Sequence, residues 1–582
     1  MDDCVDDNVV IRVKELMVWT PEEKSWWRRK ATKPKTVILN NVSGNIKEGE
    51  FAAVIGPSGA GKTTFLIALA GRCTLPTDGT VTLRGTNVKE SHDAVEMVPQ
   101  FEVFMEGLCV MEHLVFMLEM KLGSCKDPTN QAIMNALIDE LHLKPHVHTP
   151  ITALSGGERR LLSLATSLLS NPQILICDEP TTGLDSYNAL LVIGVLRKLS
   201  YNGRIVICSV HQPSSELFKE FTSVLLMAEG RLLFHGNQDA CKEVFESINL
   251  HCPLNYNPSE FYIRAVSDAN VVEKLVVISQ RVGTRDETSS MSHTHRKISK
   301  INWFKEVHLL LWRLSLTLKR DIRNYLIQLF ISVIITSMVL SVAYVGVSGR
   351  TQRGVQDIRG FLWLVTSEVS FGVSYSALYS FQNEIALFKR EVGMYRCSAY
   401  YVSRFLSFIP RCIVWPISLV GVATLTVQLP NHIVTAIEFT IALMFCAVAS
   451  VAYGLGMAAI FTSTGIMGDV MPCADLPLFL MSGAFLRISS MPVWLNPAKY
   501  MSHFYYAMDA VSNIYWRQID HIDCPANTTS VCLKDGAAVL VENGYSSNFI
   551  LEDSIGLLFV TLFWSLLGYY GLKREERTGY AY

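Results

Sequence analysis

Five short motifs between Gly56 and Pro213 carry the residue types that phosphoryl transfer needs. In chain order they are GPSGAGKT, PQ, LSGGE, ILICDEP followed by GLDS, and SVHQP. The first fits G-x-x-x-x-G-K-[ST], a loop whose backbone N–H groups enclose nucleotide phosphates at a helix N-terminus. It predicts that ATP is held by Gly56, Pro57, Ser58, Gly59, Ala60, Gly61, Lys62, Thr63 and Thr64.

Two adjacent carboxylates, Asp178 and Glu179, end the apolar run that starts at Gln173. A carboxylate and the Thr63 hydroxyl are suitable Mg²⁺ ligands, so Asp178 is predicted to hold the metal and Glu179 to activate water as general base. Two acids at a strand end could also form a solvated loop or a helix cap. The glycine-rich loop upstream favours the catalytic interpretation.

The other motifs are expected to supply further ligands, because phosphoryl transfer depends on positioning and charge neutralisation. Lys62 is predicted to reach the β- and γ-phosphates. Gln100 is predicted to bind Mg²⁺ and the attacking water, and His211 to contact the γ-phosphate. The apolar run Phe51 to Ile55 is expected to form the buried strand that leads into the loop.

Residues 37 to 235 resemble the nucleotide-binding domain of ABC transporters, an α/β P-loop fold. The resemblance implies that two such domains sandwich two ATP molecules head to tail. It also implies that Ser155, Gly156 and Gly157 of LSGGE cap the γ-phosphate on the opposite subunit, with Asp185 of GLDS beside the nucleotide. One chain would then hold two half-sites.

Two positions depart from the common family pattern. Glu158 ends the signature, where many ABC families have Gln. No adenine-stacking aromatic precedes the glycine-rich loop, where Val37 and Ile38 stand. Trp26 and Trp27 lie upstream and are interpreted as a surface anchor.

The second half of the chain has the composition of a membrane domain. Of 582 residues 49% are hydrophobic, and the mean hydropathy of +0.26 is high for a soluble protein. Six stretches approach the ~20 apolar residues that span a bilayer. They are residues 325–347, 360–382, 405–428, 433–460, 470–488 and 554–572, which predicts an all-α six-helix transmembrane domain.

Basic residues next to the first, second, third and last predicted spans fall on one side, and we expect that side to be cytosolic. Arg350, Arg353 and Arg359 are an exception on the opposite side. The net charge of −2 gives no reason to expect nucleic acid as a partner.

Cys524 and Cys532 flank the sequon Asn527-Thr-Thr in the predicted outer loop, residues 514–553. A disulfide and a glycan at Asn527 are both compatible with a non-cytosolic face. Two free thiols are the alternative interpretation.

The sequence divides into five predicted regions. Those before the membrane domain (325–582) are an N-terminal cytosolic segment (1–35), the nucleotide-binding domain (36–268), a linker (269–300) and an amphipathic connecting helix (301–324). The connecting helix could equally be the run-up to the first span. Candidate residues of the transport path are Glu368, Phe371, Tyr375 and Phe445.

The order of an ATPase followed by six spans is similar to the G subfamily of ABC half-transporters. Matching stretches include VSGNIKEGE, NPSEFYIRAVSD, TQRGVQDIRG and FKREVGMYRCSAYYVSRFLSFIP. They resemble the eye-pigment precursor group of insects, and SAYYV and IDCP favour its brown type over its scarlet type.

The resemblance implies a lipid-embedded half-transporter that pairs with a white-like half-transporter. Its cargo would be a small planar heterocycle, a pteridine or purine such as a guanine derivative or urate, moved from cytosol into pigment granules. The alternatives are a scarlet-like transporter of tryptophan or kynurenine, a homodimeric exporter of sterols, lipids or xenobiotics, and a nucleotide-gated channel. The resemblance leaves two membranes open for this multi-pass protein, that of the pigment granule and the plasma membrane.

Overall fold

The computed structural model describes residues 9–24, 31–33, 35–90, 94–282, 301–427, 429–461, 464–524, 532–545 and 550–578. Trp26, Trp27, Asn527 and the linker part 283–300 lie outside the described residues. The chain divides into two compact units, one of residues 1–301 with 578–582 and the other of residues 302–577.

The first unit contains all the described strands. In chain order they are β1 Val9–Thr20, β2 Glu23–Lys24, β3 Ala31–Lys33, β4 Thr36–Lys47, β5 Phe51–Ile55, β6 Thr77–Leu83, β7 Thr86–Asn87, β8 Val95–Val98, β9 Ile174–Cys177, β10 Ile205–Ser209, β11 Ser223–Ala228 and β12 Arg231–Gly236. Its helices are α1 Lys62–Leu69, α2 Val110–Leu122, α3 Pro128–Glu140, α4 Gly156–Leu168, α5 Ser186–Tyr201, α6 Ser215–Lys219, α7 Gln238–Ser247, α8 Pro258–Ala265 and α9 Ala269–Val282.

A six-stranded sheet of order β12-β11-β5-β10-β9-β8 positions the motifs. Strands β8, β9, β10, β5 and β11 are parallel, and β12 pairs antiparallel with β11. Every residue of β5, β9 and β10 is buried, as expected for parallel strands covered on both faces. The glycine-rich loop follows β5, Gln100 follows β8, Asp178 follows β9 and His211 follows β10. The motifs therefore meet at the carboxyl edge of one sheet.

A second, antiparallel sheet has the order β4-β1-β6-β7. Apolar side chains of β1 and β4 share a buried core with Phe65 and Leu66 of α1 and with Val54 of β5. This packing holds α1 in place, and the glycine-rich loop leads directly into the first turn of that helix.

The second unit is helical. Its helices are α10 Trp303–Arg320, α11 Ile322–Ala343, α12 Gln352–Arg390, α13 Cys397–Ser407, α14 Ile409–Thr426, α15 His432–Ile460, α16 Thr464–Leu480, α17 His503–Trp516, α18 Gly536–Asn543 and α19 Ile550–Thr578. Among the described residues, three stretches qualify as membrane spans by length and hydropathy: Cys397–Thr426, Ile433–Ile460 and Leu551–Arg577. A shorter apolar helix covers Ile322–Thr336.

The predicted spans and the helices differ in three places. Helix α12 has 39 residues and extends well beyond the predicted second span at both ends. Helix α16 has only 17 residues, with Pro472 and Pro477 inside it. Neither qualifies as a span by the same criteria, so the count of six stays a prediction. The third predicted span contains a break between α13 and α14.

Two further helices occupy segments that were predicted differently. Helix α9 fills Ala269–Val282, the first part of the predicted linker. Helix α17 was not predicted at all, and all its 14 side chains except Tyr506 are fully buried or nearly so. The predicted outer loop contains the end of α17, all of α18 and the start of α19.

Candidate functional site

The glycine-rich loop has a backbone that only glycine fits at two positions. Gly56 has φ 157°, and a Cβ there would lie 2.1 Å from the carbonyl oxygen of Met227. Gly61, with φ 91°, is the N-cap of α1, and a Cβ there would lie 2.8 Å from the Leu39 side chain. The loop thus brings its backbone close to its neighbours and leads directly into a helix N-terminus, the arrangement that binds phosphate.

Lys62 lies buried inside this loop. Its Nζ donates to the carbonyl oxygens of Gly56 at 2.8 Å and Pro57 at 3.0 Å. Burial lowers the pKa of Lys62, and the negative charges of Glu179 and Asp178 oppose this shift. Because burial disfavours the charged ammonium group, a phosphate anion bound beside it would stabilise it.

Asp178 and Thr63 come together from β9 and α1. The Thr63 hydroxyl donates to Asp178 Oδ1 at 3.3 Å, and the Ser209 hydroxyl donates to the same oxygen at 2.5 Å. Burial raises the pKa of Asp178, and the bonds from Ser209 and Thr63 oppose this. A carboxylate beside a hydroxyl offers the oxygen ligands that Mg²⁺ prefers, so the residues present fit the ion.

Glu179 is held by three hydrogen bonds, two from neighbouring motifs and one from its own turn. Its carboxylate accepts from Gln100 Nε2 at 2.6 Å and from the Thr182 hydroxyl at 2.9 Å. Its backbone N–H donates to Ser209 Oγ at 2.8 Å. Its φ of 46° lies in the left-handed region, which costs energy for a residue with a side chain. Such strain at a carboxylate is typical of a functional position.

His211 contacts the glycine-rich loop. Its Nε2 is 3.3 Å from the hydroxyl of Ser58, and the next residue, Gln212, has φ 47°. Ser58, which contacts His211, and Lys62, which contacts the loop carbonyls, are both predicted nucleotide-binding residues.

The signature residues form the start of α4. Ser155 Oγ accepts from the N–H of Glu158 at 3.3 Å, and the Glu158 carboxylate accepts from the N–H of Ser155 at 2.9 Å. This reciprocal capping box explains why Glu is accommodated where Gln is common, since both side chains can close it. The second Glu158 oxygen lies 3.1 Å from His146 Nε2.

Asp185 and Gly157 both lie next to Asn188, in the first turn of α5. Asn188 Nδ2 donates to Asp185 Oδ1 at 2.5 Å, and a Cβ on Gly157 would lie 3.0 Å from the Asn188 side chain. The signature therefore packs against the start of α5 of its own chain.

Arg160 is a residue that the sequence motifs do not identify. It is buried, and its guanidinium donates to the carbonyl oxygens of Pro99 at 2.8 Å and Gln100 at 2.7 Å. Its Nε lies 2.9 Å from Glu102 Oε1. It joins the signature helix to the segment that carries Gln100. Its position two residues after LSGGE is the one signal that could have found it. Ser209 is the first residue of the motif SVHQP, but its role is not predicted from the sequence.

Val37, at the expected adenine position, is exposed and pairs with Trp19 across the β1–β4 ladder. The ammonium of Lys35 lies 4.2 Å from the centroid of the Trp19 ring. An aromatic side chain therefore stands next to this position, on the strand that pairs with it.

The transport-path candidates lie on two helices of the second unit, three on α12 and one on α15. Phe371 and Tyr375 are neighbours on α12, with ring centroids 6.3 Å apart. Glu368 accepts from the Thr336 hydroxyl of α11 at 3.4 Å, and Phe445 is exposed on α15. In the predicted outer loop, Cys524 and Cys532 form a disulfide with Cα atoms 6.2 Å apart.

The chain matches three family models. The ABC transporter model matches residues 39–182, and two ABC-2 type transporter models match residues 305–516 and 211–288. The chain thus binds and hydrolyses ATP in its first unit and places an ABC-2 type domain in a membrane with its second.

Three curated fruit-fly proteins are similar to the chain over most of its length. Drosophila melanogaster brown is 30% identical over 97% of both chains. White from the same fly is 30% identical over 94% of this chain and 84% of its own, and scarlet is 29% identical over 97% and 89%. A solved ATP-binding subunit of an ABC transporter, 20% identical, covers 44% of this chain and 98% of its own with a TM-score of 0.36. The chain belongs to the G-type ABC half-transporters, in the group that contains brown, white and scarlet.

Proposed function

We propose that this half-transporter pairs with a second, white-like half-transporter and moves pteridine or purine pigment precursors, such as guanine derivatives or urate, from the cytosol into pigment granules. The observation that carries the proposal is the similarity to brown over 97% of both chains, beside an equally high identity to white. Both halves of the chain take part in that similarity, so the ATPase and the membrane domain are proposed to serve the same task as in the relatives.

The arrangement of the ATP site supports the proposal that a partner is needed. Lys62, Thr63, Asp178 and Glu179 cluster at the sheet edge, whereas Ser155 and Gly157 contact Glu158 and Asn188. One chain provides a nucleotide-binding half-site and a signature half-site, and the second half-transporter would complete each of them.

The proposed chemistry assigns one task to each residue. Glu179, fixed by Gln100 and Thr182, takes the proton of the attacking water, and His211 and Lys62 contact the γ-phosphate. Mg²⁺, held by Thr63, Asp178 and Gln100, would neutralise the phosphate charge. Ser209 positions both residues, because its hydroxyl donates to the Asp178 carboxylate and accepts from the Glu179 backbone N–H.

The experiment is ATP-dependent uptake into inside-out vesicles of labelled guanine, urate, a reduced pterin, tryptophan and 3-hydroxykynurenine. Vesicles contain this chain alone, the white-like partner alone, or both. We expect purine or pterin uptake only when both chains are present. Glu179→Gln in this chain is the control that preserves the fold and removes the proposed base.

Each other outcome assigns a different function. Uptake of tryptophan or 3-hydroxykynurenine by the pair would replace the proposal with a scarlet-like transporter. ATPase activity of this chain alone, stimulated by sterols, lipids or drugs and with no uptake of the panel, would replace it with a homodimeric exporter.

A further inference from the structure

A carboxylate lies buried among three helices of the membrane unit. Asp475, on α16, is 4% exposed. Its Oδ2 accepts a hydrogen bond of 2.9 Å from the Tyr375 hydroxyl of α12, and its Oδ1 accepts one of 2.6 Å from the Tyr453 hydroxyl of α15. An acidic residue inside a membrane segment is costly and is usually retained for function.

The direction of these two hydrogen bonds limits what else the cluster can bind. A tyrosine hydroxyl has one hydrogen to donate and an oxygen that can accept. Tyr375 and Tyr453 both give their hydrogen to Asp475, so each hydroxyl oxygen is left as an acceptor. Any further polar partner of this cluster must therefore donate a hydrogen bond.

One of the two tyrosines reaches the surface of the unit. Tyr453 is only 1% exposed, so a substrate at the surface cannot reach its hydroxyl. Tyr375 is partly exposed, and on the same face of α12 its ring lies 6.3 Å from both Phe371 and Tyr379, of which Tyr379 is 54% exposed. Leu476, next to Asp475 on α16, is also exposed. Tyr375 is thus an acceptor set in an aromatic and aliphatic surface.

We propose that Tyr375, oriented by Asp475, selects substrates that donate an N–H hydrogen bond to its hydroxyl oxygen while their flat face contacts the rings beside it. This rests on the proposed function and makes it more specific, because the substrate class becomes planar heterocycles with a free ring N–H or amino group. Asp475 is a positioning residue that acts through Tyr375. Guanine, urate and reduced pterins carry such donors; fully N-methylated purines do not.

The test is a selectivity ratio in vesicles that contain this chain and the white-like partner. Uptake of xanthine, which has N–H donors, is compared with uptake of 1,3,7-trimethylxanthine, whose ring nitrogens carry none. The wild-type pair is expected to prefer xanthine. Tyr375→Phe is expected to reduce this preference about three- to tenfold, the equivalent of one net hydrogen bond. Asp475→Asn is expected to reduce it as well. The Asn side chain has one acceptor oxygen in place of two, so it no longer accepts from both tyrosine hydroxyls and orients them less strictly.

Two matched variants separate recognition from structure. Tyr379→Phe removes a hydroxyl from the next ring on the same helix, and Tyr453→Phe removes the other donor to Asp475, which the substrate cannot reach. Both are expected to keep the ratio, and the second to lower the thermal unfolding temperature. ATPase rate and unfolding temperature are measured for all variants, because a merely structural role of Tyr375 would change these without changing the ratio.

The outcomes distinguish the inference from the function on which it rests. A wild-type preference that Tyr375→Phe and Asp475→Asn leave unchanged overturns the inference and leaves the proposed function intact. A wild-type pair that takes up neither xanthine nor any compound of the larger panel overturns both.

Discussion

The side-chain amide of Gln100 donates a hydrogen bond of 2.6 Å to the carboxylate of Glu179. The two residues follow β8 and β9, strands whose parallel register places Val98 opposite Cys177. The pairing of β8 with β9 therefore places Gln100, the proposed ligand of metal and water, beside Glu179, the proposed base. The hydrogen bond also keeps one Glu179 oxygen in a fixed direction, which is what a general base needs.

Glu179→Gln is expected to lower ATP hydrolysis by the assembled pair by about a hundredfold or more, the usual contribution of a general base. Gln can still accept from Gln100 and Thr182, so nucleotide binding and the unfolding temperature should stay close to wild type. Phosphate release and binding of a fluorescent ATP analogue measure the two effects. Loss of nucleotide binding in parallel with hydrolysis would contradict the assigned role.

Glu158→Gln is the matched control and a prediction of its own. Gln can close the capping box with Ser155, so hydrolysis should stay within about twofold of wild type. Glu158→Ala opens the box and is expected to cost about 1 kcal/mol of stability and to reduce activity. If Glu158→Gln is as damaging as Glu158→Ala, the charge facing His146 matters instead of the capping box.

Arg160→Lys is expected to reduce the turnover number about ten- to hundredfold, since small displacements of catalytic groups have effects of this size. A lysine ammonium is a single charge centre and cannot replace the contacts to Pro99, Gln100 and Glu102 together. The KM for ATP should change little, because Arg160 contacts no residue of the glycine-rich loop in the hydrogen bonds that define its position.

Arg159→Lys provides the comparison on the neighbouring residue, whose guanidinium donates to the Thr152 carbonyl at 3.0 Å. Its turnover should remain within about twofold, because loss of one partly exposed hydrogen bond is a small effect. Steady-state kinetics that show a KM effect for Arg160→Lys, or equal losses in both variants, would contradict the positioning role.

The placement of the ATP site could be predicted because its motifs follow buried strands, and parallel strands end at one edge. Glu179 and Gln100 were found in this way. Ser209 and Arg160 could not be, because their importance depends on hydrogen bonds to residues 31 and 60 positions away in the chain. Each motif spans only a few residues, so the sequence of a motif does not reveal partners that are so distant along the chain.

Helix α17 shows why part of the membrane unit could not be predicted. Asp509 and Asn513 interrupt its apolar pattern, which makes the segment look like a loop in the sequence. In the structure Asn513 Nδ2 donates to Asp509 Oδ1 at 2.6 Å and to the Asp509 carbonyl oxygen at 3.0 Å, so the two buried residues pair one helical turn apart. The pairing that makes burial acceptable exists only once the helix has formed.

The stability of the ATPase unit should fall at acid pH because of Glu96. Its carboxylate accepts from Lys121 at 2.6 Å and pairs with Arg72 at 3.2 Å. Burial would raise the pKa of Glu96, but the charges of Lys121 and Arg72 outweigh it and lower the pKa. A lowered folded-state pKa means that the stabilisation is complete above the usual glutamate pKa of about 4.3 and is lost as the pH falls below it.

Glu96→Gln is expected to destabilise the protein by about 3 kcal/mol at pH 7, since it leaves Lys121 without its carboxylate. It should also flatten the decrease in unfolding temperature between about pH 5 and pH 3. Thermal unfolding of the full chain in detergent measures both. The exposed Glu140→Gln is the control, and an equal effect there would rule out the buried pair as the cause.

The second unit has its own buried ion pair, between Arg313 of α10 and Glu391 at the end of α12, with an N–O distance of 2.6 Å. The Tyr395 hydroxyl donates to the other Glu391 oxygen at 2.7 Å. Burial alone would lower the pKa of Arg313, but Glu391 outweighs it and raises the pKa. The pair therefore stays ionised and fastens α10 to α12.

Arg313→Met is expected to cost about 3–5 kcal/mol, because it leaves the Glu391 charge buried without a cation. Combining it with Glu391→Leu should recover much of that loss, since the double variant buries no unpaired charge. Thermal unfolding of the four variants of this cycle in detergent gives the coupling energy, and Lys319→Met, an exposed change on the same helix, should stay within about 0.5 kcal/mol of wild type. Additive losses in the double variant would mean that the two residues stabilise the unit independently, in spite of their contact.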